Sequence, residues 1–386
     1  MRILHTSDWH LGRQFHGQGM LTHQAAYADH LIATIEAESV DLLVVAGDIY
    51  DRALPPVDAV ELADDAFARL AASRARVVMT SGNHDSARRL GFNSRLVDAA
   101  GFHLRTVADG LATPVLVDGR DGPVAVYGIP YLEPDLLRHA WDLPARSHHA
   151  AMAEAMRRVN ADLATRPAGT RSVVLAHAFV AGGQGCDSER DISVGGVSQV
   201  SASVFDGIDY VALGHLHGQH TLSESVRYSG SPLAYSFSEA GHRKGSWLVD
   251  LGGRGEVSAE LVEAPVPRRL ARLAGSLDAL LTEGRYAEAE DAWVQVTLTD
   301  PVRPQQAMAR LQERFPHAVA LLFAPEGVET HRDRVAVEGR SDHAIAVDFV
   351  AAMRGEPATD SESGLLRDAC DACAGDPDAD TVVSAR

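Results

Sequence analysis

Five apolar runs of strand length each end in a short polar stretch carrying Asp, Asn or His. No other feature constrains the fold as much. Residues 1–5 run into Thr6-Ser7-Asp8-Trp9-His10, and 41–46 stop at Gly47-Asp48. Residues 76–80 stop at Ser81-Gly82-Asn83-His84-Asp85, 172–176 end at His177, and 210–213 stop at Gly214-His215-Leu216-His217. Between them, 23–38, 57–72 and 148–163 carry apolar residues at helical spacing. Further strands are predicted at 124–127, 227–232 and 246–250. Apolar strands alternating with helices predict an α/β fold, a layered sheet with helices on its faces. Ligands in such folds bind beyond the carboxyl ends of the strands, where the polar endings fall.

The pattern changes at Ala264-Pro-Val-Pro267, where two prolines in four residues predict a linker. Residues 268–340 read as a small α/β unit, with helices near 276–291 and 304–315 and strands at 293–298 and 318–323. Residues 341–386 read as helical, broken at Gly355-Glu-Pro357, and the stretch 376–380 reads as disordered. The expected domains are therefore 1–265, 266–340 and 341–386, in line with about 150 residues per domain for a chain of 386.

The formal charge is −18, from 35 basic and 53 acidic residues, which argues against a basic nucleic-acid coat. Residues 341–386 hold ten acids and three arginines, so −7 of that charge belongs to the tail. Residues 268–340 carry ten arginines against 11 acids. Their clusters Arg268, Arg269, Arg272 and Arg332, Arg334, Arg340 read either as a phosphate-facing edge or as solvated surface. Lys244 is the only lysine among the 35 basic residues. The arginine excess reads as genome bias before it reads as phosphate recognition. Cys186, Cys370 and Cys373 cannot build a disulfide framework, which points to a reducing compartment. Cys370 and Cys373 lack two further ligands for zinc and read as small residues on one helical face. No stretch of about 18 apolar residues marks a membrane span, and the first residues do not read as a signal peptide. A cytoplasmic location is expected.

Asp8, His10, Asp48, Asn83, His177, His215 and His217 form a donor set of carboxylate, amide and imidazole. Such a set suits Mn, Fe, Co or Zn. Asp8 and His10 stand two apart, as do His215 and His217, so each pair would point one way from an extended segment. A carboxylate such as Asp48 can bridge two cations about 3.5–4 Å apart.

The ordered set D-x-H, GD, GNHD, H, GHxH resembles the calcineurin-like metallophosphoesterase superfamily. Within it, HTSDWHLGR (5–13), GDIYDR (47–52), GNHDS (82–86) and YVALGHLH (210–217) resemble the SbcD family, the nuclease subunits of bacterial SbcCD complexes. GIPYLEP (128–134), SER and VGG (188–196) and RYSGSPLAYSFSE (227–239) extend the match. The resemblance implies a layered metallophosphoesterase sheet sandwich over 1–265, a small α/β DNA-capping domain over 266–340 and a helical tail over 341–386. It implies one metal on Asp8, His10, Asp48 and His217, and a second on Asp48, Asn83, His177 and His215, usually Mn²⁺. His84 would act on the scissile phosphate rather than bind metal. Asp51 and Arg52 would support from behind, Asp85 would orient His84 or cap the following helix, and His5 and His16 receive no role. Where the family often has a basic residue before Pro-Gln, Gly218-Gln219-His220 stands here.

The resemblance further implies exonuclease action on duplex DNA ends and endonuclease action on hairpins or single strands, in DNA repair, recombination and replication. The implied partners are the SbcC ATPase and a second copy of the chain. Val347, Phe349, Val350, Met353, Leu365 and Leu366 supply an apolar face that reads either as the SbcC dock or as a helix packed on its own domain. Helix 23–38 or 57–72 reads as the dimer contact. A small overall affinity for DNA fits the acidic charge and makes a DNA-gripping partner necessary. Two alternatives stand beside this reading. One is a phosphoesterase for nucleotides or phosphoproteins in the same superfamily, and the other is an end-tethering scaffold.

Overall fold

The computed structural model describes residues 1–190, 192, 199–326 and 340–374. Val194-Gly195-Gly196, Arg332, Arg334 and the stretch 376–380 lie outside them. The chain divides into two compact units, Met1–Glu326 and Gly327–Arg386.

In the first unit, one six-stranded sheet has the order Val257–Glu263, Gly245–Leu251, Arg2–Thr6, Leu42–Ala46, Arg76–Thr80, Phe102–Arg105. Its last four strands run parallel. The other sheet has the order His220–Thr221, Val226–Tyr228, Tyr210–Gly214, Arg171–His177, Gly122–Ile129, Val115–Gly119, with the middle four parallel. Alternate residues of each strand enter different cores, because successive side chains point to opposite faces. Leu42 and Val44 join Val173, Leu175, Tyr210 and Ala212 in one buried cluster between the sheets. Leu43 and Val45 instead pack with Leu31, Ile35, Ala63 and Leu70 of helices Leu21–Ala37 and Val57–Ala72. Val174, Ala176, Val211 and Leu213 pack against Ala151, Met152, Ala155 and Met156 of helix His148–Leu163. The architecture is a four-layer α/β/β/α sandwich. Burial on both faces explains why these strands are continuous apolar runs rather than alternating ones.

The predicted helices at 57–72 and 148–163 and the strands at 76–80, 293–298 and 318–323 form with those bounds. The helix expected near 276–291 is instead a short α-helix, Leu277–Thr282, and a 3₁₀ segment, Gly284–Ala289. Glu283 between them is extended, and Gly284 resists helical continuation. The strands Phe102–Arg105, Val115–Gly119, Val257–Glu263 and Leu270–Gly275 have no counterpart among the predicted elements. Val257–Glu263 lies at a sheet edge with no buried residue, so it lacks an apolar run.

Residues 270–323 form a parallel three-stranded sheet over its own core. The module is anchored to the sandwich through Trp293, which stacks on Phe15 at 5.1 Å and shares a cluster with Met20, Leu233, Tyr235 and Phe237. Trp293 is 7% exposed, so Trp293→Ala is expected to cost about 3–5 kcal/mol, as core aromatic truncations do. Denaturant unfolding monitored by circular dichroism checks this. A loss under about 1 kcal/mol would show that the anchor lies elsewhere.

The second unit pairs helices Asp342–Arg354 and Asp360–Ala374. The Ser341 hydroxyl caps the first, which ends at Gly355 with φ 79°. Arg354 joins Glu362 of the second helix at 2.7 Å. Phe349, Met353 and Leu365 are exposed. No helix among the described residues is long and apolar enough to cross a membrane.

Candidate metal centre

The carboxyl ends of three strands from two sheets meet at one rim. The Ala46 carbonyl accepts a hydrogen bond from His177 Nδ1 at 2.9 Å, and a Cβ on Gly214 would collide with the same oxygen. The loops beyond are zipped together. Asp8 N donates to Gly47 O, His10 N to Asp48 O and Leu11 N to Ile49 O, at 2.9–3.0 Å. His215 N donates to the Asp8 carboxylate at 3.0 Å. Asp85 accepts from Ile49 N, Tyr50 N and Gly82 N at 2.9–3.1 Å. Asp85 therefore ties two loops together and neither orients the His84 ring nor caps the next helix, whose preceding residue is Ser86.

These loops deliver all seven sequence-predicted donors to one place. Asp8, His10 and His217 bring ligand atoms within 4.8 Å of one another, as do Asp8, Asp48 and His177. Asp48 Oδ2 lies 3.6 Å from His10 Nε2 and 3.4 Å from His177 Nε2, between the two groups. Asn83 Oδ1 lies 2.9 Å from His177 Nε2 and 3.2 Å from His215 Nδ1. Asp8, His10, Asp48 and His215 all have positive φ, at 55°, 47°, 51° and 104°. The paired direction of Asp8 and His10 thus comes from left-handed backbone, not from an extended segment. Such conformations are costly in non-glycine residues and cluster at functional sites. Gly47 has φ 85°, and a Cβ there would collide with the His177 ring at Nδ1. A Cβ on Gly82 would collide with Asp48 Oδ1. Each glycine admits the neighbouring side chain.

The electrostatics fit a cation. His177 Nδ1 donates to Ala46 O, which turns Nε2 toward Asn83 Oδ1 and Asp48 Oδ2. Burial opposes its charge, yet the Asp48 carboxylate raises the imidazole to about 9, so in the metal-free centre a proton on Nε2 stands among acceptors where a cation would. Nε2 atoms of His10 and His217 face each other at 3.0 Å. His10 Nδ1 and Asn83 Nδ2 are buried without partners. Burial pushes the Asp8 carboxyl above its usual range, and the nearby Asp48 charge adds to the rise. Two buried carboxylates with imidazole lone pairs around them are the donor chemistry of divalent transition metals.

His84 stands at the rim. Its ring meets the His10 ring edge-on at 4.7 Å, and it too lies within ligating reach of His10 and Asp48. His84 Nδ1 donates to Asp51 O at 2.7 Å, which leaves Nε2 toward the cleft. Arg13, Arg52, Asn83 and Arg190 line that cleft with His84 and Asp51. Asp51 Oδ1 lies 3.7 Å from His10 Nδ1 and 3.4 Å from Arg13 Nη1. His5 is a core histidine, held by Tyr210 Oη at 2.8 Å and Leu213 O at 3.2 Å, and burial lowers it to about 3. His16 packs beside Phe15 and Phe237.

The sequence singled out Ser188, Glu189 and Glu239 within SER and RYSGSPLAYSFSE but assigned no role to them behind His217. Ser188 Oγ lies 2.7 Å from its Nδ1, Glu189 accepts from its backbone N–H at 2.7 Å, and Lys244 donates to its carbonyl at 2.8 Å. Burial opposes the charge on Glu239, yet Lys244 and His217 hold its carboxyl well below the usual range. The isolation of Lys244 in an arginine-rich chain was the available signal. Arg268 and Arg269 donate to the carbonyls of Asp291 and Glu288, and Arg340 pairs with Asp348.

Residues 1–219 match the family model for calcineurin-like phosphoesterase. Residues 266–354 match SbcD_C, the type 5 capsule protein repressor C-terminal domain. Among solved structures, the protein TT1561 of Thermus thermophilus shares 14% identity, with 67% of this chain and 98% of that one covered at a TM-score of 0.39. GAP50, the anchor in the inner membrane complex of Plasmodium, shares 12% identity over 84% and 98%, at a TM-score of 0.34. Similarity at that level carries no functional information.

Proposed function

The chain belongs to the calcineurin-like phosphoesterases, and on that premise, with an SbcD-type domain following, we propose that it is a two-metal DNA nuclease subunit. It cuts duplex ends as an exonuclease and hairpins or single strands as an endonuclease, and acts with the SbcC ATPase in the cytoplasm. Residues 1–265 are the nuclease, 266–340 the DNA-capping domain and 341–386 the partner-binding tail. The match of 266–354 to the SbcD_C model carries this reading over a phosphoesterase for nucleotides or phosphoproteins.

In this reading Asp8, His10, Asp48 and His217 hold one divalent cation and Asp48, Asn83, His177 and His215 the other, with Mn²⁺ in both. Cations held there would polarise a phosphodiester and acidify a water. Arg13, Arg52 and Arg190 line the cleft and offer guanidinium groups to the phosphate. His84 is no ligand. The Asp51 carbonyl holds its Nδ1–H, so the ring must take a second proton from solvent on Nε2, as imidazolium, and give that proton to the departing oxygen. A second copy completes the assembly. Leu54, Val57 and Val60, an exposed apolar strip at the start of helix Val57–Ala72, favour that helix as the contact.

The test incubates the purified protein with Mn²⁺, with and without the ATPase, on end-labelled duplex DNA and on a p-nitrophenyl phosphodiester. DNA cleavage is expected. Cleavage of the small ester alone would favour the nucleotide or phosphoprotein reading, and a metal-bound but inert protein the tethering scaffold. Truncation after residue 340 is expected to abolish co-purification of SbcC, because Phe349, Met353 and Leu365 leave with the tail. Retained co-purification would refute the docking assignment.

A further inference from the structure

The chain keeps one lysine, and that lysine is 7% exposed. Lys244 Nζ has three acceptors for its three protons: His217 O at 2.8 Å, Ser231 Oγ at 2.9 Å and the Glu239 carboxylate. A compact ammonium satisfies three convergent acceptors, which the planar fork of arginine cannot do in the same space. The position that demands lysine is the one that retains it, in a chain where every other basic residue is arginine.

The consequence passes to His217. Glu239, paired to Lys244, only accepts, so the Ser188 hydroxyl proton goes to Glu239 Oε1 at 2.6 Å. Ser188 Oγ then turns a lone pair toward His217 Nδ1 at 2.7 Å, and that nitrogen must carry hydrogen. His217 Nε2 is left as a lone pair facing His10 Nε2 and the Asp8 side of the centre. Cys186, His217 and Glu239 also bring ligand atoms within 4.8 Å of one another, which superficially suggests a further metal site. Ser188 Oγ occupies its middle, at 2.6–3.1 Å from all three.

We infer that Lys244, Glu239 and Ser188 form a proton-ordering relay that locks His217 in the Nδ1–H tautomer and presents its Nε2 to the metal. These are positioning residues. Groups behind a metal-bound histidine commonly set its tautomer, and their loss typically costs about 10–100-fold in metal affinity. The inference deepens the metal-centre reading and rests on it for the affinity effect only, since the tautomer is read on metal-free protein.

The experiment uses the full chain with ¹⁵N-labelled histidine. Metal-free wild type is expected to show a slowly exchanging, downfield Nδ1–H that disappears in His217→Asn, which identifies it. Ser188→Ala is expected to lose this signal and to weaken Mn²⁺ binding about 10–100-fold by titration calorimetry, whereas Ser188→Thr, which keeps the hydroxyl, retains both. Lys244→Met, which removes the cation that keeps Glu239 an acceptor, is expected to behave as Ser188→Ala. An Nδ1–H that survives Ser188→Ala, or weakened Mn²⁺ binding with the tautomer unchanged, overturns the relay. Wild type that shows the Nδ1–H but binds no Mn²⁺ would leave the tautomer lock standing and sink the metal-centre reading instead.

Discussion

Replacing His84 with alanine is expected to lower Mn²⁺-dependent hydrolysis by about 10²–10⁴-fold while leaving bound metal unchanged. The expectation follows from where the ring is held. Asp51 O takes Nδ1, and the cleft side presents Nε2 beside three arginines. The seven proposed ligands remain in place without it, so Mn²⁺ stoichiometry by calorimetry or elemental analysis stays at the wild-type value. Only the delivery of a proton and the stabilisation of developing charge are lost. His84 also lies within ligating reach of His10 and Asp48, which makes the experiment decisive. Loss of a metal in His84→Ala would turn the residue from a proton donor into a ligand.

The second large effect is expected at Asp48. Its Oδ2 lies 3.4 Å from His177 Nε2 and 3.6 Å from His10 Nε2, one from each proposed site. Its Oδ1 accepts from His84 N at 2.9 Å. Asp48→Asn keeps the shape and the acceptor at Oδ1 but removes the negative charge that two cations would share. Wild type at a Mn²⁺ concentration about 100 times the dissociation constant gains about 2.7 kcal/mol per site. For a chain of this size that raises the melting temperature by about 3 °C per site, or about 7 °C with both filled. Asp48→Asn is expected to lose the Mn²⁺-induced rise and the hydrolytic activity together. A variant that kept the full rise would show that Asp48 bridges nothing.

Much of the site was legible before any tertiary information. Asp48 follows an apolar run and Gly47, Asn83 follows Gly82, and His215 follows Gly214, so each candidate announced itself within a short window of sequence. The reason for the shared direction of Asp8 and His10 was not legible. It lies in left-handed backbone at both, sustained by bonds from Asp8 N to Gly47 O and from His10 N to Asp48 O, between segments far apart in the chain. Asp85 reads locally as a helix cap. Its three backbone donors come from two loops that only the sheet order brings together. Glu239 and Ser188 stand in motif segments, but their role was not legible because it is a proton direction, which depends on a lysine and a histidine folded against them.

The sequence by itself determined the α/β class, the polar endings of the central strands and which seven candidate donors, with His84, to look for. Apolar runs, helical periods and turn glycines are short-range patterns, set by how a few consecutive residues meet water and one another. Only the tertiary structure decided that two sheets face each other, that their carboxyl ends share one rim, and that Trp293 anchors the following module on Phe15. It alone decided which nitrogen of His217 faces His10 and Asp8. These are matters of strand order and of buried hydrogen bonds between residues far apart in the chain, and no local pattern encodes them.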